Sequence, residues 1–341
     1  MPDLRPKRIA DLIAPYRVEP GRRVRLPKDF DTTPGRHISR DQAEQMLEAG
    51  VGMLAEYQGR LAAQDTWAVL VVIQAMDAAG KDGTISHVMS GVNPQGVEVH
   101  SFKVPSAEEQ DHDYLWRYAK ALPSRGSIGI FNRSHYEELL VVRVHPQILA
   151  GERMPAASKR SDVWNRRFRE INDWERYLSD QGIKIVKLFL NVSKEEQRRR
   201  FLDRINEPEK NWKFSGADAK ERAYWDDYQK AFSEVLSHTS TEWAPWYVVP
   251  ADDKPYARMV AAGAIANALH EINPKYPTVT PEAMASLQEA KTTLEAEAPA
   301  GTADPAAGAD ASGAAGAERK GPGQKGKRNK AKHKTAKGKK D

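Results

Sequence analysis

In the stretch AMDAAGKDGT, residues 75–84, a carboxylate, two glycines and a lysine fall close together: Asp77, Gly80, Lys81 and Gly83. Ala75, Ala78, Ala79 and Gly80 carry little or no side chain, so backbone N–H groups there can curl around an anion. A helix beginning at Lys81 would turn its partly positive N-terminus toward the same point. Lys81 adds a mobile full charge, which is the logic of a phosphate-binding P-loop. The strict pattern G-x-x-x-x-G-K-[ST] would require glycine at Ala75 and a hydroxyl at Asp82, and the competing reading is an ordinary strand-to-helix turn. Asp77 favours function, because a carboxylate beside a phosphate cradle is costly unless a metal ion lies between it and the phosphates. Ala78, Gly80, Asp82, Gly83 and Thr84 are then candidate contacts to a phosphorylated substrate.

Two further stretches carry suitable groups. SIGIF runs into Asn132, Arg133, His135, Tyr136, Glu137 and Glu138, and EEQRRRFLDR carries Arg198, Arg199, Arg200 and Arg204, followed by Lys210 and Lys213. Phosphoryl transfer is catalysed mainly by positioning and charge stabilisation, so the three stretches must converge if that is the chemistry. Each has a plainer reading. Asn132, Arg133 and Glu137 suit a helix start, and Glu195 and Glu196 can neutralise Arg199 and Arg200 one turn on. Against this, Arg200 and Arg204 share a helical face and a cationic connector follows, which suits a long polyanion. His135 has no His or Cys partner at metal-ligand spacing, so an orienting or packing role is expected.

The elements that must position these groups alternate. WAVLVVIQ is apolar without polar alternation, as expected for a strand buried on both faces at the centre of a parallel sheet. Further strands are expected at Val97–Lys103, Ser127–Phe131, Ile183–Leu190 and Trp246–Val249. Helices are expected from Ser39 through Leu61, from Lys81 to Ser90, through HDYLWRYAKAL behind a Ser106/Glu109 capping box, from Val163 to Asp180, behind a Ser193/Glu196 capping box, from Ala217 to Ser237 and from Tyr256 to Ile272. Gly50 and Gly52 weaken the middle of the first. Strands alternating with helices imply an α/β fold in which all strand carboxyl ends lie on one edge. Residues 1–38 read as an arm on the domain surface, 39–277 as the catalytic domain with a lid at about 194–237, 278–317 as a flexible linker and 318–341 as a disordered Lys-rich tail.

The net charge of +5 is local in origin: the tail from Glu318 carries eleven Lys or Arg against two acids, so residues 1–317 are net −4. A nucleic-acid-binding fold therefore does not follow from the global charge. The chain has no cysteine, which excludes disulfides, thiol catalysis and Cys-ligated zinc. MPDLRPKRIADLI has proline and charge where a secretory signal needs a continuous apolar core, and no run is long enough to span a bilayer, so a soluble cytoplasmic protein without membrane attachment is expected.

AMDAAGKDGTI, SGVNPQGV, HDYLWR, IFNRSHYEELLVVRVHP, SKEEQRRRFLDRINEPEKNWKFS and TSTEWAPWYVVPADDK, in this order, resemble the family-2 polyphosphate kinases from about residue 40 to 275. The resemblance implies a thymidylate-kinase-like P-loop fold with a helical lid. It also implies Mg²⁺-dependent transfer, or transfer with Mn²⁺, between inorganic polyphosphate and a nucleotide, in a homo-oligomer, either dimer or tetramer. On that basis Asp77, also the metal position, and Lys81 match the Walker A carboxylate and lysine, and Arg133 the arginine of the Walker B segment. Arg200, Arg204, Lys210 and Lys213 match the lid. Asn132, Glu138 and Arg143 join the substrate contacts, although many members have Asp where this chain has Asn132. FNRSHYE resembles the branch accepting AMP as well as ADP, with Glu137 as the associated position. The products implied are ADP and ATP, or GDP and GTP, by direct in-line transfer. Competing expectations are an ATP-dependent nucleotide kinase on the same fold, and a polyanion binder whose tail holds polyphosphate or nucleic acid non-specifically.

Overall fold

Strand β1 (Ala68–Ala75) lies at the centre of a five-stranded parallel sheet with β2 (Val97–Ser101), β3 (Ile128–Asn132), β4 (Ile183–Asn191) and β5 (Trp246–Pro250), in the order β2-β3-β1-β4-β5. The computed structural model describes residues 5–34 and 38–297. Val69, Leu70, Val71 and Val72 of β1 are fully buried, as two-faced burial of an unbroken apolar run requires. Because β1 has β3 on one side and β4 on the other, the strand order reverses beside it, which opens a crevice at the carboxyl ends.

Helices α1 (Pro6–Ile13), α2 (Arg40–Gln64), α3 (Lys81–Val88), α4 (Val163–Asp180), α5 (Lys194–Asn206), α6 (Trp225–Thr239) and α7 (Lys254–Ile272) flank the sheet. Ser39 caps α2 through a reciprocal pair with Gln42. Helix α7 is rich in alanine and almost wholly buried, and it packs on α1, α2 and α3. Gly50 is buried where α2 faces α7, and an added Cβ there would meet Ala262 Cβ at an ordinary contact distance of 3.8 Å.

Several elements differ from the sequence reading. The Ser106/Glu109 box forms, but its helix lasts only over Ala107–Gln110. Asp113 accepts the Leu115 N–H at 3.0 Å, a side-chain turn that interrupts the helix before Trp116–Ala119. Ser193 accepts from Glu196 N, yet the reciprocal half is missing because the Glu196 carboxylate is taken by Arg199 and Arg200. The single helix expected over 217–237 is two, Gly216–Glu221 and α6, joined by a 3₁₀ turn at Arg222–Tyr224. There Arg222 reaches back to Gln197 and Tyr228 donates to Glu221. The N-terminal arm is part of the core rather than laid on it: Ile9, Ile13, Val18, Val24 and Phe30 are buried. Val18 N donates to Trp246 O at 2.8 Å, and Arg17 bridges Tyr247 on the outer edge of β5.

Within the 278–317 segment read as a linker, Pro281–Ala296 forms helix α8, capped by Thr280 and exposed throughout. Its Ala, Glu, Gln, Lys and Leu content is helix-favouring. Residues 298–317 and the Lys-rich tail lie outside the described residues. Among the described residues no helix is long and apolar enough to cross a membrane.

A fully buried polar cluster fastens β4 to the chain leaving β3. Lys187 Nζ donates to Glu175 at 2.6 Å, Tyr136 OH at 2.8 Å and Thr239 O at 2.6 Å, satisfying all three N–H groups. Glu175 also accepts from Tyr136 OH and meets His135 Nε2 at 3.2 Å. Burial pushes the Glu175 carboxyl up, but Lys187 and His135 outweigh it and leave the group below its ordinary value. His135 thus has the packing and orienting role expected. Glu175→Ala leaves the Lys187 ammonium buried without its counter-charge and should cost about 3–5 kcal/mol in urea unfolding, with much of the loss recovered by adding Lys187→Met; a loss below about 1 kcal/mol would show that water reaches Lys187.

Candidate active site

Residues 76–80 join β1 to α3 by a loop with two left-handed turns, at Ala78 (φ 59°) and Gly80 (φ 108°). Gly80 takes that conformation without strain, whereas Ala78 holds it at a cost of about 1–2 kcal/mol. The conformation leaves the first amides of α3 without intrahelical acceptors and directed to the cleft beyond the sheet.

What keeps Ala78 there is Arg200 on α5. Its Nε donates to Glu196 at 2.7 Å, Nη1 to Ala78 O and Ala79 O at 3.1 and 2.7 Å, and Nη2 to Ala251 O and Asp252 O at 2.6 and 3.3 Å. All five guanidinium N–H groups therefore serve the protein. Although Arg200 reaches the cleft wall, it is a loop clamp rather than the free ligand-gripping residue read from the sequence. Gln197, one turn earlier, adds a bond to Asp77 O at 2.9 Å.

Lys81 Nζ sits 3.2 Å from Ala75 O. Burial pushes its pKa down, Arg133 adds to this, and Asp77, Glu137 and Asp82 oppose it. Arg133, itself left-handed at φ 64°, lies between two carboxylates: 3.4 Å to Asp77 and 3.7 Å to Glu137. Asn132 donates to Asp82 at 2.8 Å and so joins the end of β3 to the first turn of α3. An aspartate at that position would bring two carboxylates together, which gives Asn132 a positive role here.

The cleft encloses about 770 Å³ and is lined by the loop 77–84, residues 101–104 at and beyond the end of β2, Asn132, Arg133, parts of α5 and the segment after it, and the start of α7. Nine Lys or Arg and four Asp line it, so the cleft is strongly positive in a chain that is net −4 before its tail. Of the expected contacts, Asp77, Ala78, Gly80, Lys81, Asp82, Gly83, Thr84, Asn132, Arg133, Arg204, Lys210 and Lys213 come together on its wall with Arg200. Glu137 is partly buried behind Arg133, and burial raises its pKa against the pull of Arg133 and Lys81. Glu138 and Arg143 do not reach the wall. Glu138 is held by Arg167 at 2.8 Å, and Arg143 pairs with Glu234 over the Trp164 ring. Once β3 ends, the chain turns into the helical layer and carries both away.

Lys103, Lys254 and Arg258 line the cleft without having been singled out from the sequence. A signal existed: Lys254 and Arg258 are one turn apart at the start of a helix following a parallel strand, and Lys103 follows another strand's end. Asp77 and Asp82 both open to the cleft, but among the described residues no three His, Asp or Glu converge as a metal cage. This donor set fits Mg²⁺, which keeps waters and binds through one or two carboxylates plus substrate phosphates.

Residues 37–277 match the family model described as polyphosphate kinase 2. The chain is 50% identical over 267 residues to an ADP-polyphosphate phosphotransferase of Rhodopseudomonas palustris, covering 78% of this chain and 92% of that protein. It is 43% identical to an AMP/ADP-polyphosphate phosphotransferase of Meiothermus ruber, covering 77% and 94%. The crystal structure of polyphosphate kinase 2 from Arthrobacter aurescens TC1 superposes with a TM-score of 0.70 at 38% identity, over 82% of this chain and 99% of that one.

The clamp role of Arg200 sets a measurable expectation. Arg200→Lys removes most of the fork and leaves carbonyls unpaired, so stability should fall by about 2–4 kcal/mol, with weaker binding of any phosphate ligand. Weaker phosphate binding at unchanged thermal stability would instead mark Arg200 as a direct ligand contact.

Proposed function

The chain belongs to the polyphosphate kinase 2 family, and on that premise we propose that it transfers phosphoryl groups between inorganic polyphosphate and nucleotides, raising AMP to ADP and ADP to ATP, or the guanine equivalents. The observation that carries this reading is the positive lining beyond the phosphate loop. Arg204, Lys210, Lys213, Lys254 and Arg258 add charge to a site whose loop amides and Lys81 already suit the reacting phosphates. A linear polyanion uses such an extension, whereas one mononucleotide has no phosphates to fill it. The substrates in the names of the two relatives point the same way.

The acceptor's phosphate oxygen attacks the terminal phosphorus of polyphosphate, the bond to the neighbouring phosphate breaks, and the chain shortens by one unit without a covalent enzyme intermediate. Lys81 and the amides at the start of α3 stabilise charge on the transferred group. Arg133, held between Asp77 and Glu137, presents a fixed cation to the same region. Arg204, Lys210 and Lys213 hold the rest of the chain. Mg²⁺ or Mn²⁺, held through Asp77 with Asp82 nearby, would offset the charge of the bridging oxygens. Glu137 acts on AMP through Arg133, whose position it sets.

Incubating purified protein with Mg²⁺, long-chain polyphosphate and either AMP or ADP, without ATP, should yield ADP and then ATP; no product from either, with transfer occurring only when ATP is the donor, would establish an ATP-dependent nucleotide kinase instead. In the same assay Lys81→Ala and Asp77→Asn should each lower kcat by roughly 10²–10³ with the fold intact by circular dichroism, and near-normal rates would remove these residues from the chemistry. Glu137→Asn should reduce kcat/KM for AMP several-fold more than for ADP, and equal losses would refute a selective role.

A further inference from the structure

The cleft carries one feature that phosphate recognition does not use. Trp212, on the 3₁₀ segment Pro208–Lys213, lines it with 79% of its surface exposed, the most of any described tryptophan. Val104, on the loop after β2, lines the same cleft and is 88% exposed. Both are large apolar side chains left in water amid a lining otherwise charged or small. Phe102 is different: it is committed to the interior, with Tyr118 and Phe131 at ring-centroid distances of 4.5 and 4.9 Å. The Trp212 ring has Lys213 Nζ at 5.0 Å from its centroid and its faces otherwise available to solvent.

Inorganic polyphosphate has no apolar surface and cannot use a bare indole. A nucleotide can, because it joins phosphates to a planar base that stacks on an aromatic face. We propose that Trp212 is the base-stacking residue of the nucleotide subsite, with Val104 supplying apolar contact in the same cleft. The inference rests on the reading of the cleft as a polyphosphate–nucleotide transfer site. Stacking tolerates any base, so the subsite accounts for recognition of nucleotides as a class without choosing between adenine and guanine.

Isothermal titration of the full-length protein with ADP, and separately with inorganic tripolyphosphate, tests it. Trp212→Ala should weaken ADP roughly 5- to 100-fold, leave tripolyphosphate within about twofold, and leave the melting temperature unchanged; Trp212→Phe should recover most of the ADP affinity. Unchanged ADP affinity, or equal weakening of ADP and tripolyphosphate, overturns the proposal. Turnover of the wild-type protein with polyphosphate, measured alongside, separates the two readings. ADP binding that depends on Trp212 without ATP formation from polyphosphate sinks the donor assignment and keeps the base site, whereas ATP formation with indifference to Trp212 does the reverse.

Discussion

A single buried guanidinium holds the catalytic end of the sheet in shape. Arg200 spans the loop after β1, the helix after β4 and the segment after β5, and gives each a share of its five N–H groups. Only a planar, permanently charged fork can meet that set of carbonyls at once. The left-handed Ala78 is stable because both its own carbonyl and that of Ala79 are held, and the anion-directed amides follow from that conformation. Helix α5 is thereby fixed to the loop beside it, up to the break in the chain at Pro208.

Charge is separated within the molecule on the same principle of local satisfaction. Away from the cleft, buried charges are closed on one another, as in the Lys187–Glu175 cluster beneath Tyr136. At the cleft they are only half closed. Arg133 is shared between Asp77 and Glu137 at distances longer than a good hydrogen bond, and Lys81 rests on one carbonyl. Groups in that condition are positioned in advance and still have capacity for an incoming phosphate.

Much of this was legible in the amino-acid order. The run from Ala68 to Ala75 declares a central strand because no position in it tolerates water, and the small residues after it declare the loop. The resemblance located Lys81, Arg133, Arg204, Lys210 and Lys213, which the structure brings to one wall. What could not be read depends on side chains meeting across the fold. Arg200 and Arg204 share a helical face, yet Arg200 meets four carbonyls of the phosphate loop and the segment after β5 whereas Arg204 meets only Lys213 O, at 3.4 Å, so spacing alone gave both the same expectation. Lys187 sits in a strand-like run, and nothing local announces that Glu175 waits on the preceding helix. The helix breaks at Asp113 and Arg222 are likewise set by bonds that local propensity does not contain, and Val18, Val24 and Phe30 are buried without any period to reveal them.

The arm that carries those three residues has a consequence for how the protein can be cut and joined. Arg17 and Val18 lie along β5, an outer strand whose free edge would otherwise invite pairing with another chain. The opposite edge, β2, is short and bears Glu98 and His100, which discourage such pairing by themselves. A shortened version beginning near Ser39 would keep nearly the whole family region and yet strip the cover from β5, trading an apparently dispensable leader for a sheet open to aggregation. Fusion partners and affinity handles belong ahead of Pro6, with the arm left in place.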